Sequence, residues 1–245
     1  SEWSFSVDVL NEVSLEYVTR LYTFNNDSTF VRPQKLRWIN GNQLAVLTTS
    51  DLDGDAITVL GVSFASGPSA LLASTVDASI QGFNDLVQRT TDQQIFIATY
   101  SSIELWASDL SIGTTVVNSG YFGGQTKVVD FWNNDLWVVI QDNDYLYSIL
   151  QVSEFYNVTS QSPPTDLFIQ SMLFEGNDTV LLFGYVVEQS WRDGRIYRYN
   201  LTSQEFSNFT DPETYHLGEL QGSDWGSNGD FWITDYSRLR NFDTQ

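Results

Sequence analysis

The sequence contains no cysteine and a single histidine, His216. The first absence excludes disulfides, thiolate metal sites and cysteine nucleophiles; the second excludes any site built from several imidazoles. Basic residues are scarce. Lys+Arg number 11 against 31 Asp+Glu, a net charge of −20, and the only lysines are Lys35 and Lys127. A chain so acidic repels nucleic acid and anionic lipid, so neither is an expected partner. The longest apolar stretches resemble Leu136–Ile140, far short of the roughly 20 residues of a spanning helix, so membrane insertion is not expected either. Walker loops, dinucleotide fingerprints and zinc spacings are missing. Gly120-Tyr-Phe-Gly-Gly124 reads as a turn before a strand and lacks the lysine that phosphate binding wants. No Gly-x-Ser-x-Gly elbow surrounds any serine, and His216, beside Tyr215, reads as structural or exposed.

What is present is aromatic and repetitive. Of 245 residues 42% are hydrophobic and 15% aromatic, enough for one sizeable core or one ring of repeats. Trp38-Ile-Asn-Gly-Asn-Gln-Leu44, Phe174-Glu-Gly-Asn-Asp-Thr-Val180 and Trp225-Gly-Ser-Asn-Gly-Asp-Phe231 align without gaps. Each runs from an aromatic through small or amide residues, which tolerate the positive φ of tight turns, to an apolar residue opening a β-rich run. Trp132-Asn-Asn-Asp-Leu136 has the same grammar with a shorter turn, and Thr91-Asp-Gln-Gln-Ile95 keeps the strand that follows.

Runs such as Leu44–Thr48, Ile95–Thr99, Leu136–Ile140, Val180–Phe183 and Phe231–Thr234 are short and nearly continuously apolar, as expected of strands covered on both faces. Second strands are expected at Ile57–Phe64, Ile103–Ser108, Tyr145–Val152, Arg195–Leu201 and Arg238–Phe242. Ile80, Phe83, Leu86 and Val87 show helical spacing, yet the repeat asks for a strand there and strand is the assignment. Equivalent positions recur at intervals of 51, 41, 44 and 51 residues, which predicts five units.

This grammar resembles the β-propeller repeat superfamily, nearer to NHL-like and quinoprotein-like blades than to WD repeats, whose Trp-Asp and Gly-His signatures are absent. The resemblance implies an all-β fold: a five-bladed β-propeller of four-stranded antiparallel blades. It covers most of residues 31–245 and carries fold rather than function. Only 14 residues follow Phe231, so the last blade is expected to lack its outer strand. Residues 1–30 hold two strand-like runs, Trp3–Leu10 and Glu16–Phe24; one would close the ring within a single domain, and the other would be spare. A spare strand invites pairing with a neighbouring chain, which makes Trp3, Phe5 and Val7 candidate contact residues. Trp191, in a charged turn, is another.

Asp51-Leu-Asp-Gly-Asp55 resembles the calcium loops of integrin-type propellers, with Asp51, Asp53 and Asp55 as the first three ligands for Ca²⁺. Val59 and Ala56 stand where that pattern wants an acid and a glycine, and the plainer reading is an Asp-Gly hairpin. Asp142-Asn-Asp144 also reads as a hairpin. Asp85, Asp130, Glu219 and Asp224 could face a central funnel, the arrangement of propeller glycoside hydrolases, but nothing in their spacing selects a catalytic pair. Trp38, Trp132 and Trp225 could stack sugar rings as in a lectin; packing between blades is the simpler role.

Sequons at Asn26, Asn157, Asn177, Asn200 and Asn208 fall in polar turns or at strand ends. Met172 is the only methionine, so Ser1 is not a translation start, and a processed secretory chain or a segment of a longer protein is expected. The sequence thus reads as a secreted, N-glycosylated propeller. Its expected role is that of a non-catalytic structural or interaction subunit in an extracellular or cell-surface assembly, fibrous in one version, whose partners are copies of itself or other extracellular proteins. The alternative is a carbohydrate-active propeller, hydrolase or lectin.

Overall fold

The computed structural model describes residues 5–10, 17–24, 31–50, 54–65, 67–77, 82–111, 113–188, 191–209, 217–226, 229–235 and 238–242. Its elements form a series of antiparallel meanders. A hairpin of β1 (Phe5–Leu10) and β2 (Tyr17–Phe24) comes first. Blade one follows as β3 (Val31–Ile39), β4 (Gln43–Ser50), β5 (Gly54–Ser63) and β6 (Ser69–Asp77). Blade two is β7 (Phe83–Gln88), β8 (Ile95–Thr99), β9 (Ser102–Trp106) and β10 (Gly113–Asn118). After a single helical turn, α1 (Ser119–Phe122), blade three takes β11 (Gln125–Trp132), β12 (Asp135–Gln141), β13 (Tyr147–Val152) and β14 (Val158–Gln161). Blade four is β15 (Phe168–Glu175), β16 (Thr179–Glu188), β17 (Trp191–Asn200) and β18 (Glu205–Asn208). Blade five has three strands, β19 (Leu220–Trp225), β20 (Phe231–Asp235) and β21 (Arg238–Phe242).

This is the five-bladed β-propeller that the repeats predict; among the described residues its last blade has three strands. The strand assigned across Phe83, Leu86 and Val87 is β7; Ile80 and His216 lie outside the described residues. The ring closure expected of an N-terminal strand has no counterpart among the described ladders, where β1 and β2 pair with each other. The chain divides into two compact units, 1–116 and 117–245.

The turns have the chemistry their residues dictate. Asn40 and Gly41 link β3 to β4 with φ of 50° and 74°, and Asn133 and Asn134 link β11 to β12 with 52° and 66°. Two consecutive residues at positive φ match the twist of the flanking strands, and asparagine and glycine reach that region at least cost. Gly176 and Gly229 do the same work before β16 and β20.

Within the blades, strict alternation gives each face of a strand a different neighbour. In the first unit, Ala45 and Leu47 of β4 join Ile57 and Val59 against Leu86, Ile95 and Ile97 of blade two. Leu44 and Val46, on the opposite face, join Leu60 and Val62 beneath Val7, Leu21 and Tyr22 of the hairpin. In the second unit, Met172, Phe174 and Leu182 of blade four meet Val139 and Ile149 of blade three. Leu173, Leu181 and Phe183 turn the other way, onto Leu220, Phe231 and Ile233 of blade five. Continuous apolar runs are what such doubly covered strands require; β8, for example, is buried at every position.

Three tyrosines stand in the second unit's core: Tyr147, Tyr185 and Tyr199, each under 8% exposed. Burial pushes all three phenols above their ordinary value, Tyr147 most strongly. In the unfolded chain a tyrosine ionises near pH 10, so above that pH the unfolded state sheds protons that the folded state retains, and stability falls as pH rises. Lys35 and Lys127, whose ammonium values burial lowers, act in the opposite sense up to about pH 10.5. The comparison that isolates the phenol is therefore wild type against Tyr147→Phe. Urea midpoints of the two should run parallel below about pH 9 and diverge above about pH 10, with wild type falling faster. Parallel curves throughout would remove Tyr147 from the alkaline response.

Candidate interaction surface

The face of blade one that turns away from blade two is only partly covered. Leu36 and Trp38 of β3 lie opposite Val46 and Leu44 of β4, and paired residues share a face. Val46 and Leu44 are sealed under the hairpin, whereas Leu36 is 47% exposed, Trp38 50% and the nearby Phe64 60%. The Trp38 and Phe64 rings stand 6.5 Å apart, so the three make an apolar extension of a core face into solvent. Clustered exposed apolar side chains of this kind mark contact surfaces.

The opposite face of β3 carries the charges. Arg37 reaches Asp85 of β7 with two hydrogen bonds, Nε to Oδ1 at 3.3 Å and Nη2 to Oδ2 at 3.1 Å. Asp85 is wholly buried. Beside it an amide network crosses from blade one to blade two: the Asn40 backbone N–H donates to Gln88 Oε1 and Gln88 Nε2 donates to Asn40 Oδ1, both at 2.7 Å. β3 is thus polar toward the interior and apolar toward solvent, the reverse of an ordinary half-buried strand. Its pattern, with Gln34, Leu36 and Trp38 alternating against Lys35, Arg37 and Ile39, carried that signal in the sequence.

The contact residues proposed from sequence fare differently. Val7 is 8% exposed and packs on Leu44 and Val46, so its side chain serves the chain's own core. A register shift at Val7/Asp8 lets both Leu21 and Tyr22 reach the same face, and an Arg20–Asp8 ion pair at 2.9 Å fastens the hairpin on its outer side. Phe5 pairs with Phe24 in the ladder. Trp3 lies outside the described residues. Trp191 opens β17 opposite Glu188.

The recurrent tryptophans do not all fill wedges, a correction to their expected packing role. Trp132 does so, stacking on Phe174 at 5.3 Å with planes 1° apart. Trp38 is half exposed, and Trp225, 36% exposed, meets Phe231 edge-on.

The acids named as funnel candidates make contacts within the chain. Asp85 is held by Arg37. Glu219, also buried, accepts from Arg192 Nη1 on both carboxylate oxygens at 2.6 Å, and that guanidinium lies over the Tyr185 ring. Asp130 and Asp224 each accept the next residue's backbone N–H at 2.8 Å. Asp51 and Asp53 lie outside the described residues. Asp55, the third residue of the calcium-like loop, accepts the backbone N–H groups of Gly82 at 2.6 Å and Phe83 at 3.0 Å through Oδ2, tying blade one to the start of β7. That gives Asp55 a structural role. Asp142 closes its hairpin as expected, accepting from the Asp144 and Leu146 amides at 2.9 Å.

Of the sequon asparagines, Asn157, Asn177 and Asn208 are exposed. Asn200 is half-buried, its Oδ1 accepting the Thr202 and Ser203 amides at 2.9 and 2.7 Å. Asn26 lies outside the described residues. No helix among the described residues is long and apolar enough to cross a membrane.

No family model and no curated protein matches the chain. Solved structures do. A chain of a crystallised nidogen/laminin complex superposes with a TM-score of 0.66 at 11% identity, covering 97% of this chain and 84% of that one. Sqt1 of Saccharomyces cerevisiae superposes with a TM-score of 0.55 at 9% identity over 99% of this chain. This chain spans 65% of that Sqt1 chain's length. At these identities the likeness is one of fold.

Proposed function

We propose that this β-propeller is a non-catalytic interaction subunit of an N-glycosylated extracellular or cell-surface assembly, and that it joins a second copy of itself by strand addition at blade five. The observation that carries the reading is the strand count among the described residues: four blades have four strands, and blade five has three, β19 to β21. A fourth strand donated by another copy's N-terminal segment makes a head-to-tail contact, which propagates into rings or fibres. The exposed Leu36–Trp38–Phe64 face supports a role in protein contact. Exposed sequons at Asn157, Asn177 and Asn208 support a secretory route. One structural neighbour comes from a complex of nidogen with laminin, which agrees with an extracellular interaction role.

The absence of native cysteine makes the test direct. Ser6→Cys and Leu239→Cys, on β1 and β21, are made singly and mixed under oxidation, with the double variant oxidised alone. Disulfide-linked heterodimers in the mixture, and large species by light scattering of the wild type, are the expected result. A cross-link formed only within the double variant, with monomeric wild type, would show instead that the chain closes its own ring and overturn strand exchange. Intact mass before and after enzymatic removal of N-glycans tests secretion separately: an unchanged mass for natively purified chain would overturn it.

A further inference from the structure

The wedge between blades three and four opens at one end into a cavity of about 190 Å³. The wall is built by strand pairing. Trp132 closes β11 opposite Asp135, and the two-asparagine turn between them brings β12 back so that Trp137 follows two residues on, on the same face. Gln151 of β13 lies directly opposite Trp137 and donates to Asp135 Oδ2 at 2.6 Å. Blade four contributes Asn177, from its first turn, and Tyr199. Phe174 backs the wall, stacked on Trp132 and tilted against Trp137 at 5.4 Å.

Two side chains of this wall carry a buried donor. Nε1 of Trp132 and Nε1 of Trp137 are buried, and neither indole N–H finds a hydrogen-bond partner among the described residues. Trp137 itself is 6% exposed. Buried donors are almost always satisfied, so each calls for an explanation. Both belong to side chains lining one cavity, alongside a carboxylate and three carboxamides.

We infer that this cavity is a binding site for a neutral pyranose ring. The indole N–H groups require an acceptor, which a hydroxyl, ring oxygen or acetamido carbonyl supplies. Asp135, Gln151 and Asn177 offer acceptors to the same molecule's hydroxyl hydrogens, and the aromatic wall suits the apolar face of a sugar. Size agrees: the cavity is smaller than the roughly 300–1,000 Å³ of sites that take drug-sized molecules, so one ring fits and a nucleotide does not. Charge excludes the nearest competitors. An anion would meet Asp135 with no lysine or arginine among the described lining residues. A quaternary ammonium, the usual guest of an aromatic cage beside a carboxylate, brings no acceptor for either indole. The sugar has two possible sources: a glycan on another molecule, or the chain's own glycan on Asn177 at the rim.

The test uses the full chain carrying Asn177→Gln, which removes the second source, and follows the two indole N–H resonances by NMR. Their assignment comes from Trp132→Phe and Trp137→Phe. Methyl pyranosides in the millimolar range should shift both resonances, and Trp132→Phe, at the less buried site, should weaken binding about tenfold through loss of one hydrogen bond and of stacking area. Asp135→Asn, which keeps an acceptor for Gln151, should preserve the fold and weaken binding less. If the pyranosides shift neither resonance, or tetramethylammonium or acetate shifts them instead, the assignment is overturned. Comparing glycosylated wild type with the enzymatically deglycosylated chain then separates the sources. Resonances already displaced before deglycosylation identify the chain's own glycan as the occupant; resonances that move only on adding pyranoside identify a foreign one.

Discussion

Replacing Arg37 with alanine should cost the protein about 3–5 kcal/mol, because it takes the guanidinium away from a carboxylate that has no access to water. Asp85 is 0% exposed, and Arg37 supplies both of the guanidinium bonds that hold it. The attraction between the two charges largely repays the loss of their hydration, so the pair is worth little against an apolar pair of equal volume; half of the pair is worth much less. The double variant Arg37→Ala/Asp85→Ala should therefore be more stable than Arg37→Ala alone. Arg37→Lys should fall between, since an ammonium cannot make the two-pronged contact. Urea unfolding of the four proteins measures the cycle. A loss under about 1 kcal/mol for Arg37→Ala, the range of an exposed pair, would mean that Lys35 takes over the carboxylate. Burial already lowers the Lys35 ammonium's pKa, and Asp85 is the charge that opposes this.

The second large effect is expected at Phe231. Its ring is wholly buried and meets four others: Phe183, Phe209 and Trp225 edge-on, and Phe242 in a parallel stack at 5.6 Å. Truncation to alanine leaves a cavity walled by aromatic edges that cannot collapse into it, and should cost about 3–5 kcal/mol. For a chain of this length that corresponds to a fall of very roughly 6–20 °C in melting temperature. Phe231→Leu, which keeps most of the volume, should cost about 1 kcal/mol. The alanine variant should also loosen β21, because Phe242 loses its stacking partner, so amide exchange in residues 238–242 should rise more than in blade three. Equal protection in both blades would separate the aromatic box from the integrity of that strand.

The fold was legible because its signals are local. Asparagine and glycine at the turns before β4, β12, β16 and β20 declare tight hairpins, and the apolar runs after them declare strands covered twice. The site was less legible, for a physical reason. A tryptophan ending the first strand of a blade looks the same in sequence whether its ring fills a wedge, as Trp132 does, or stands half in solvent, as Trp38 does. The difference lies in what the neighbouring blade presents, and that depends on residues dozens of positions away. Likewise the alternation Gln34, Lys35, Leu36, Arg37, Trp38 was visible, but which face turned inward was decided by Asp85, on another blade. Val7 reads as exposed only until blade one is seen to need a cover. Trp132 was visible in the sequence as a ring that could stack on a sugar, but the cleft it shares with Trp137 was not, because an unpaired indole N–H is a property of space rather than of pattern.

One consequence of the meander order concerns how the chain acquires its structure. Every described blade ladder joins strands adjacent in sequence, so no blade waits for a distant segment before its backbone can pair. Loop closure then costs little at each step, and such local pairing favours rapid nucleation despite the all-β composition. Blade four, with its long β16–β17 hairpin, is a natural seed: its two faces are templates on which blade three and blade five can each condense. Growth from such a centre is sequential, and a half-finished intermediate presents one bare apolar face at each end. The hairpin β1–β2 caps one such face on blade one, and chaperone dependence should rise in any variant that detaches it.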